Sequence, residues 1–461
     1  MTAYSPITPA LRAELEARLS PGALITEPAR LEDYAGDASC LRHLPEMVVC
    51  AHNVADVQTL LTLANLHRFP VTPRGGGSGL AGACLADRGG VVLSTRGLDA
   101  IRAIDTINFT MEVEAGAISL RVREAAAARG LFYPPDPAGM ELSTIGGNAA
   151  TDAGGPACVK YGTTRDYILG LEAVLPDGSL ITTGVRTRKG VVGYDLTNLL
   201  VGCEGTLAVI TALTLKLLPK PAATTGVLCA FGSMADAMRA VARVMAEGHL
   251  PSAIEFLDYR CLALVGELLP FVVPGERPSL LIVELDGPAA PIEAEMAEVV
   301  AVMTREGATR VLRARDEAER RQIWQVRRQV SLRIHDHAAL YLSEDVVVPL
   351  SQIATLVDRL AAHEARHGVE IFAFGHAGDG NIHLNITSQH PDHQEQMDRV
   401  AEELLRLVLD LGGTISGEHG IGLAKRPFLP LELAPGSIEL QRRIKALFDP
   451  NQILNPGKIF P

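Results

Sequence analysis

Residues 72–85 read TPRGGGSGLAGACL. Within them GSGLAG (77–82) matches G-x-G-x-x-G, the phosphate-binding fingerprint of a doubly wound parallel sheet. That fingerprint needs a helix to open on its glycines and an acid roughly 20 residues further on. The chain continues instead as ACLADRGGVVLSTRGLDAI, a loop and then a strand. With no helix to complete the motif, a Rossmann sheet is set aside. The loop itself keeps its physical content. Five glycines and one serine among the eight positions Gly75–Gly82 let the backbone curl its N–H groups around an anion. A purely structural loop rarely needs so many.

Working outward, the first half is made of glycine loops and short strands. STIGGNAATDAGGPACVKYG (143–162) is a second loop, and GLEAVLPDGSLITTG (170–184) reads as a β-hairpin turning at Asp177-Gly178. GCEGTLAVITALTLKLLP (202–219) closes with strands, and KPAATTG (220–226) reads as a linker. Strands and long amphipathic helices then alternate, including helices over PIEAEMAEVVAVMTREG, 316–334, 350–367 and HQEQMDRVAEELLRLVLDLGG. That pattern predicts ferredoxin-like antiparallel sheet covered by helices on one face. FDPNQILNPGKIF (448–460) reads as an extended tail packed on another domain.

The composition excludes several function classes. The 461 residues are 47% apolar and 21% charged, enough for two or three domains with a large core. A formal charge of −12 argues against a nucleic-acid partner and against a polybasic membrane patch. No uninterrupted apolar run is long enough to span a bilayer, and MTAYSPITPALRAELEARL lacks the apolar region of a signal peptide. The seven cysteines are scattered with no C-x-x-C, so neither a disulfide framework nor an iron–sulfur ligand set is expected. A reducing, cytoplasmic location fits best.

Two segments carry chemistry. GHAGDGNIH (375–383) reads as strand, tight turn, strand, with Asp379-Gly380 at the turn. Alternation puts Asn381, His383 and Asn385 on one face, and His376 can meet His383 across the turn. A pair of hydrogen-bonded structural histidines would satisfy this hairpin alone. SGEHGIG (416–422) adds Glu418 and His419 between glycines, where an ordinary ion pair would also fit. Together, two imidazoles and a carboxylate make a three-ligand divalent site with an open position, leaving an adjacent histidine to act as base. HEARH (363–367) matches the zinc-protease motif H-E-x-x-H. Gly368 ends that helix at once, and last-turn histidines are favoured by the helix dipole with no metal at all. Arg359 and Arg366 oppose a dication, so the zinc-hydrolase reading, which would need Glu364, is set aside.

PVTPRGGGSGLAG, GGNAATDAGGPACVKYGTTRDYILGLEAVLPDG, GCEGTLAVIT, GHAGDGNIHLN, SGEHGIG and LNPGKIF occur in this order. In these motifs the chain resembles the FAD-linked 2-hydroxy-acid dehydrogenases of the vanillyl-alcohol-oxidase (PCMH-type) flavoprotein superfamily. These include cytochrome-type D-lactate dehydrogenase, D-2-hydroxyglutarate dehydrogenase and the glycolate oxidase catalytic subunit. The resemblance runs from about residue 40 to the end. It implies an α+β fold: a PCMH-type FAD-binding domain over 1–221, a cap domain with antiparallel sheet over 222–415, and a segment over 416–461 returning to the FAD domain. It assigns Arg74, Gly75, Gly76, Gly77, Ser78 and Gly79 to the FAD pyrophosphate. Pro137, Ser143, Gly147, Asn148, Thr151, Gly155 and Gly162 follow from the second motif, Glu204, Gly205 and Ile210 from the third, and Asn455 and Lys458 from the tail. No histidine lies between Pro73 and Leu85, so the FAD is expected to be non-covalent.

The resemblance further implies a divalent metal, zinc or manganese, on His376, His383 and Glu418, with Asn385 touching substrate and His419 as base. IWQVRRQVS (323–331) resembles the family's Trp-x-x-Arg helix, which makes Arg327 the expected clamp for the substrate carboxylate, although Arg321, Arg328 and Arg333 lie close by. The implied reaction oxidises a D-2-hydroxy acid to the 2-oxo acid. The α-hydride goes to flavin N5, and the electrons pass to a separate quinone, cytochrome or electron-transfer flavoprotein. The hydroxyglutarate branch carries a lysine just before its D-x-x-x-P strand. Here LSEDVVVP has Ser343, which favours a monocarboxylate such as D-lactate. The alternatives are D-2-hydroxyglutarate dehydrogenase and the flavin subunit of a glycolate-oxidising complex; a homodimer is compatible with either.

Overall fold

The computed structural model describes residues 4–187 and 189–461, and the chain divides into two compact units. The first comprises Met1–Gly154, Thr163–Lys220 and Glu418–Pro461; the second comprises Gly155–Gly162 and Pro221–Gly417. The architecture is α+β, with mixed helices and largely antiparallel sheets.

In the first unit, Leu24–Ile25, Met47–Cys50, Val91–Ser94 and Val71–Arg74 form a four-stranded sheet in that spatial order. Its last three strands run parallel and are crossed by the helix Val54–His67. Asn53 caps that helix by accepting the Asp56 N–H at 3.0 Å, and Val57, Leu60, Leu61 and Ala64 make the buried stripe expected of a 3.6-residue period. A five-stranded antiparallel sheet follows, built from Ile101–Asp105, Thr110–Glu114, Val209–Lys216, Ile168–Val174 and Leu180–Gly184. Its last two strands are the hairpin expected over 170–184. The tail returns to the edge strand of the first sheet. The Val71 N–H donates to Ile453 O at 2.8 Å, and the Asn455 N–H donates to Val71 O at 2.7 Å. An edge that would otherwise be open is thereby covered.

The second unit is a seven-stranded antiparallel sheet in the order Arg310–Arg313, Ala223–Phe231, Ser279–Gly287, Ala253–Leu257, Glu370–His376, Asn381–Ser388, Leu340–Val347. Leu228, Ala230, Leu280 and Ile282 pack with Ile323, Val326, Val330 and Ile334 of the helix Glu317–His337. The alternate residues Val227, Cys229, Leu281 and Val283 are also fully buried. They face the other way, where Met234–Ala246 and Ala289–Arg305 pack. Helices therefore cover both faces, not one, because the central strands are apolar at every position rather than at alternate ones. The stretch 220–226 is also less of a linker than its composition suggests. Ala223 already pairs with Gly287, since Thr224 and Thr225 are β-branched and fit a pleated ladder. The excursion Gly155–Gly162 is held by Asp286, whose carboxylate accepts from Lys160 Nζ at 2.5 Å and from the Tyr161 hydroxyl at 2.8 Å. No helix among the described residues is long and apolar enough to cross a membrane.

Candidate active site

The strand Val71–Arg74 delivers the chain into the glycine loop. Gly77 has φ +74°, and a Cβ there would come within 2.2 Å of the Arg74 guanidinium. At Gly76 a Cβ would lie 2.1 Å from Leu142 O, so the second glycine segment packs directly on the first. Among the described residues, no N–H from Gly75 to Gly79 donates to another group of the protein. Such N–H groups are ordinarily paired, so a run of them facing a cleft is an anion cradle. The cleft is lined by Arg74, Gly75, Gly76, Gly77, Ser78, Gly79, Pro137, Ser143, Gly147, Asn148, Thr151, Glu204, Gly205, Ile210, Glu418 and His419, among others. It encloses about 1280 Å³ of empty space, part of it open to solvent.

Of the expected residues, Arg74 lines the cleft with its backbone side but not with its charge, and Asn455, Lys458, Gly155 and Gly162 lie outside the lining. Arg74 directs its guanidinium backwards, donating to Gly36 O at 2.8 Å and to Cys84 Sγ at 3.2 Å. Asn455 donates to Ala83 O at 3.0 Å and to Glu204 O at 2.7 Å, and Lys458 pairs with Asp87 at 2.5 Å, so both tail residues brace the walls. Gly155 and Gly162 bound the excursion that belongs to the second unit.

Glu204 does more than line the cleft. It sits at φ 50°, is buried, and its carboxylate accepts the N–H groups of Ile421 at 2.8 Å and Gly422 at 2.7 Å. Burial pushes its pKa up against those two hydrogen bonds. The loop bearing Glu418 and His419 is thus pinned at its far side, helped by Leu423 N–H donating to Ala81 O at 2.7 Å. The His419 Nε2 lies 3.8 Å from the Glu418 carboxylate.

In the second unit, one face of the sheet carries a polar group inside an apolar core. His376 pairs with Asn381 in the ladder, and its ring stands perpendicular to that of His383 with centroids 5.3 Å apart. Glu255, fully buried and opposite His376, bridges two partners. One oxygen accepts a hydrogen bond from His376 Nδ1–H, and the other accepts from Arg327 Nε at 2.6 Å. Burial alone would raise the Glu255 carboxyl, but His376 and Arg327 outweigh it and hold the pKa at about 2. The Arg327 guanidinium also stacks on Phe374, 4.4 Å from the ring centroid. Its neighbours are occupied elsewhere: Arg321 with Glu317, Arg328 with Arg321 O, and Arg333 with Glu267. Asn385 accepts from the Tyr341 hydroxyl at 2.5 Å. Asp345, fully buried, accepts from Asn381 at 2.6 Å and from the Gly417 N–H at 2.8 Å, and lies 3.9 Å from His383 Nδ1.

Glu255, Asp345 and Tyr341 were missed in the sequence. A signal did exist for the two acids, because SAIEFLD and LSEDVVV each place carboxylates in an otherwise β-prone apolar run. By donating Nδ1–H to Glu255, His376 is fixed in the tautomer whose Nε2 carries the lone pair, which is the form that binds a metal or accepts a proton. The donor chemistry therefore suits a divalent ion, and the glycine cradle suits a pyrophosphate.

Residues 45–184 match the family described as FAD binding domain, and residues 220–459 match FAD linked oxidases, C-terminal domain. The chain is 38% identical over 430 residues to the glycolate oxidase subunit GlcD of Bacillus subtilis, covering 93% of this chain and 92% of that one. It is 40% identical over 424 residues to a D-lactate dehydrogenase of Archaeoglobus fulgidus, covering 90% and 91%. It is 33% identical over 468 residues to a D-lactate dehydrogenase of Anaerostipes hadrus, covering 99% and 98%. Among solved structures, p-cresol methylhydroxylase with substrate bound superposes with a TM-score of 0.79 at 18% identity, covering 97% of this chain and 95% of that one.

Proposed function

Because the chain belongs to the FAD-linked oxidases, as an FAD-dependent oxidoreductase of the D-lactate dehydrogenase and glycolate oxidase type, we propose that it oxidises a D-2-hydroxy monocarboxylate, D-lactate or a close analogue, to the 2-oxo acid. The buried Glu255 bridge carries this reading. Removing a carboxylate, a guanidinium and an imidazole from water costs several kcal/mol per ion. A fold that needed only stability would fill that volume with leucine. Arg327 uses Nε on Glu255 and so presents its two Nη groups, a planar fork suited to a substrate carboxylate. Ser343, opposite Asn385 in the ladder, offers no cation for a second carboxylate, which favours a monocarboxylate.

Bound FAD supplies a two-electron acceptor for the α-hydride. The N–H groups of Gly75–Gly79 would hold its pyrophosphate, and the residues of the cleft would orient the ring. His376, His383 and Glu418 would hold a divalent ion, zinc or manganese, which would acidify the substrate hydroxyl. His419 accepts the hydroxyl proton as general base, Asn385 orients the substrate, and Glu255 keeps His376 in its ligating tautomer. The electrons would then pass to a separate quinone, cytochrome or electron-transfer flavoprotein.

The test is anaerobic flavin absorbance on mixing with D-lactate, L-lactate, glycolate or D-2-hydroxyglutarate, with and without prior chelation. Rapid bleaching by D-lactate, lost on chelation and restored by zinc or manganese, is the expected result. Bleaching by none of these acids would overturn the reaction, and bleaching that survives complete metal removal would overturn the ligand role of His376 and His383.

A further inference from the structure

The HEARH segment was set aside as a protease motif, and the structure gives the physical reason. The Glu364 carboxylate turns into the core, where it pairs with Arg260 Nε at 2.5 Å and accepts the Ile371 N–H at 2.8 Å. Glu364 is therefore not placed to act as a general base beside the two histidines. The two histidines, one helical turn apart, face outward together to a single atom. His363 Nδ1 lies 3.0 Å and His367 Nε2 3.2 Å from Oε2 of Glu403, on the neighbouring helix Gln394–Asp410.

We infer that His363, His367 and Glu403 form a second divalent-cation site, of a chemistry suited to zinc and separate from the flavin chemistry. Two lines of geometry carry this. Ligands at about 2.0–2.2 Å from a tetrahedral zinc sit about 3.3 Å from each other, close to the two separations seen here. The three donor atoms all lie within 4.8 Å of one another. The hydrogen-bonded alternative is crowded: Arg366 Nη1 also reaches the same Oε2, at 3.2 Å, so three donors converge on one oxygen. The site also lies in the last turn of the helix Ile353–His367, where the dipole favours positive charge.

Of the two arginines that oppose a dication, Arg366 is the one that reaches the Glu403 carboxylate. Its side chain is 62% exposed, whereas those of His363 and His367 are 15% and 14% exposed. It can swing into solvent while the two imidazoles stay. Two imidazoles and one carboxylate suit zinc and leave a water position, and without a base the bound ion clamps two helices rather than hydrolysing anything.

The experiment compares wild type with His363→Gln/His367→Gln, each stripped with chelator as the flavin-loaded protein, then re-equilibrated with zinc chloride, counted for bound zinc and melted. The double variant should hold one zinc fewer per chain, and its melting midpoint should rise less with zinc than that of wild type. Bleaching by a hydroxy acid should match wild type. Equal zinc counts and equal midpoint shifts would overturn the site. Should the double variant not fold, Arg366→Ala, which keeps all three ligands, decides: tighter zinc binding supports the site, and unchanged or weaker binding overturns it. The reading of the flavin site is judged separately. If no hydroxy acid bleaches either protein, the proposed function fails while the zinc count still decides this site.

Discussion

Glu255 shows what a single residue does here. Its two oxygens tie an arginine to a histidine in a dry core, so neither partner can rotate independently. Glu255→Gln keeps the size but offers one acceptor where two are needed and lowers the grip on both. Residues that orient a ligating histidine from behind typically cost roughly 10- to 100-fold in activity or metal affinity when changed. Stopped-flow flavin reduction by D-lactate should slow by that factor, while flavin content stays at the wild-type level. A slowed rate without flavin loss separates this positioning role from a general folding defect. At this scale the sequence was partly legible. His376, His383 and Asn385 stood out because imidazoles and amides are unusual on a strand face, whereas Arg327 was singled out only through the resemblance of IWQVRRQVS. Glu255 and Asp345 did not, because their partners lie 121 and 36 residues away in the chain and only the sheet register brings them together.

At the scale of elements, two short segments carry separable predictions. The glycine loop exists to present N–H groups, and Gly77 adopts φ +74° against the Arg74 side chain. An alanine there costs about 1–2 kcal/mol for its left-handed backbone before any clash is counted. Gly77→Ala should purify with a markedly lower flavin-to-protein absorbance ratio than wild type. The helix Tyr259–Val265 gives a pH prediction. Asp258 caps it by accepting the Cys261 N–H at 2.8 Å and also accepts the Ala373 N–H at 3.1 Å. Burial nonetheless raises its pKa from 3.8 to about 6. A carboxyl that holds its proton more tightly when folded adds stability below its unfolded pKa and loses it as pH rises through the folded one. Relative to Asp258→Asn, wild type should therefore lose stability between pH 4 and pH 7, on the order of 2–3 kcal/mol, read from urea midpoints. Element types were legible from periodicity, since the long helices are amphipathic. The burial of both sheet faces was not, because a continuous apolar strand reads the same whether helices lie on one side or two.

At the scale of the whole molecule, the first unit is assembled from three stretches and the second from two. The tail matters out of proportion to its length. Leu454 bridges to Val71, Asn455 donates to Glu204 O, and Lys445 donates to Thr206 O at 2.7 Å. Ending the chain after Phe448 should abolish flavin retention and lower the melting midpoint, whereas a loss of melting temperature with full flavin content would contradict the bracing role of the tail. An extended, packed tail was expected from the Pro and Gly spacing of FDPNQILNPGKIF and its target from resemblance, whereas nothing in the sequence marked the excursion Gly155–Gly162. Its anchor is one carboxylate, Asp286, more than a hundred residues downstream.

That interleaving has a consequence for synthesis. A ribosome emits Gly155–Gly162 long before Asp286, and the glycine loop long before Asn455. The first unit needs a stretch made after the whole of the second, which itself rejoins an earlier excursion. The edge at Val71 stays open until Ile453–Asn455 has been made, because those residues supply its hydrogen-bond partners. During that interval the uncovered edge at Val71 is the place where the nascent protein is most exposed to mispairing, and a chaperone that shields strand edges would act there.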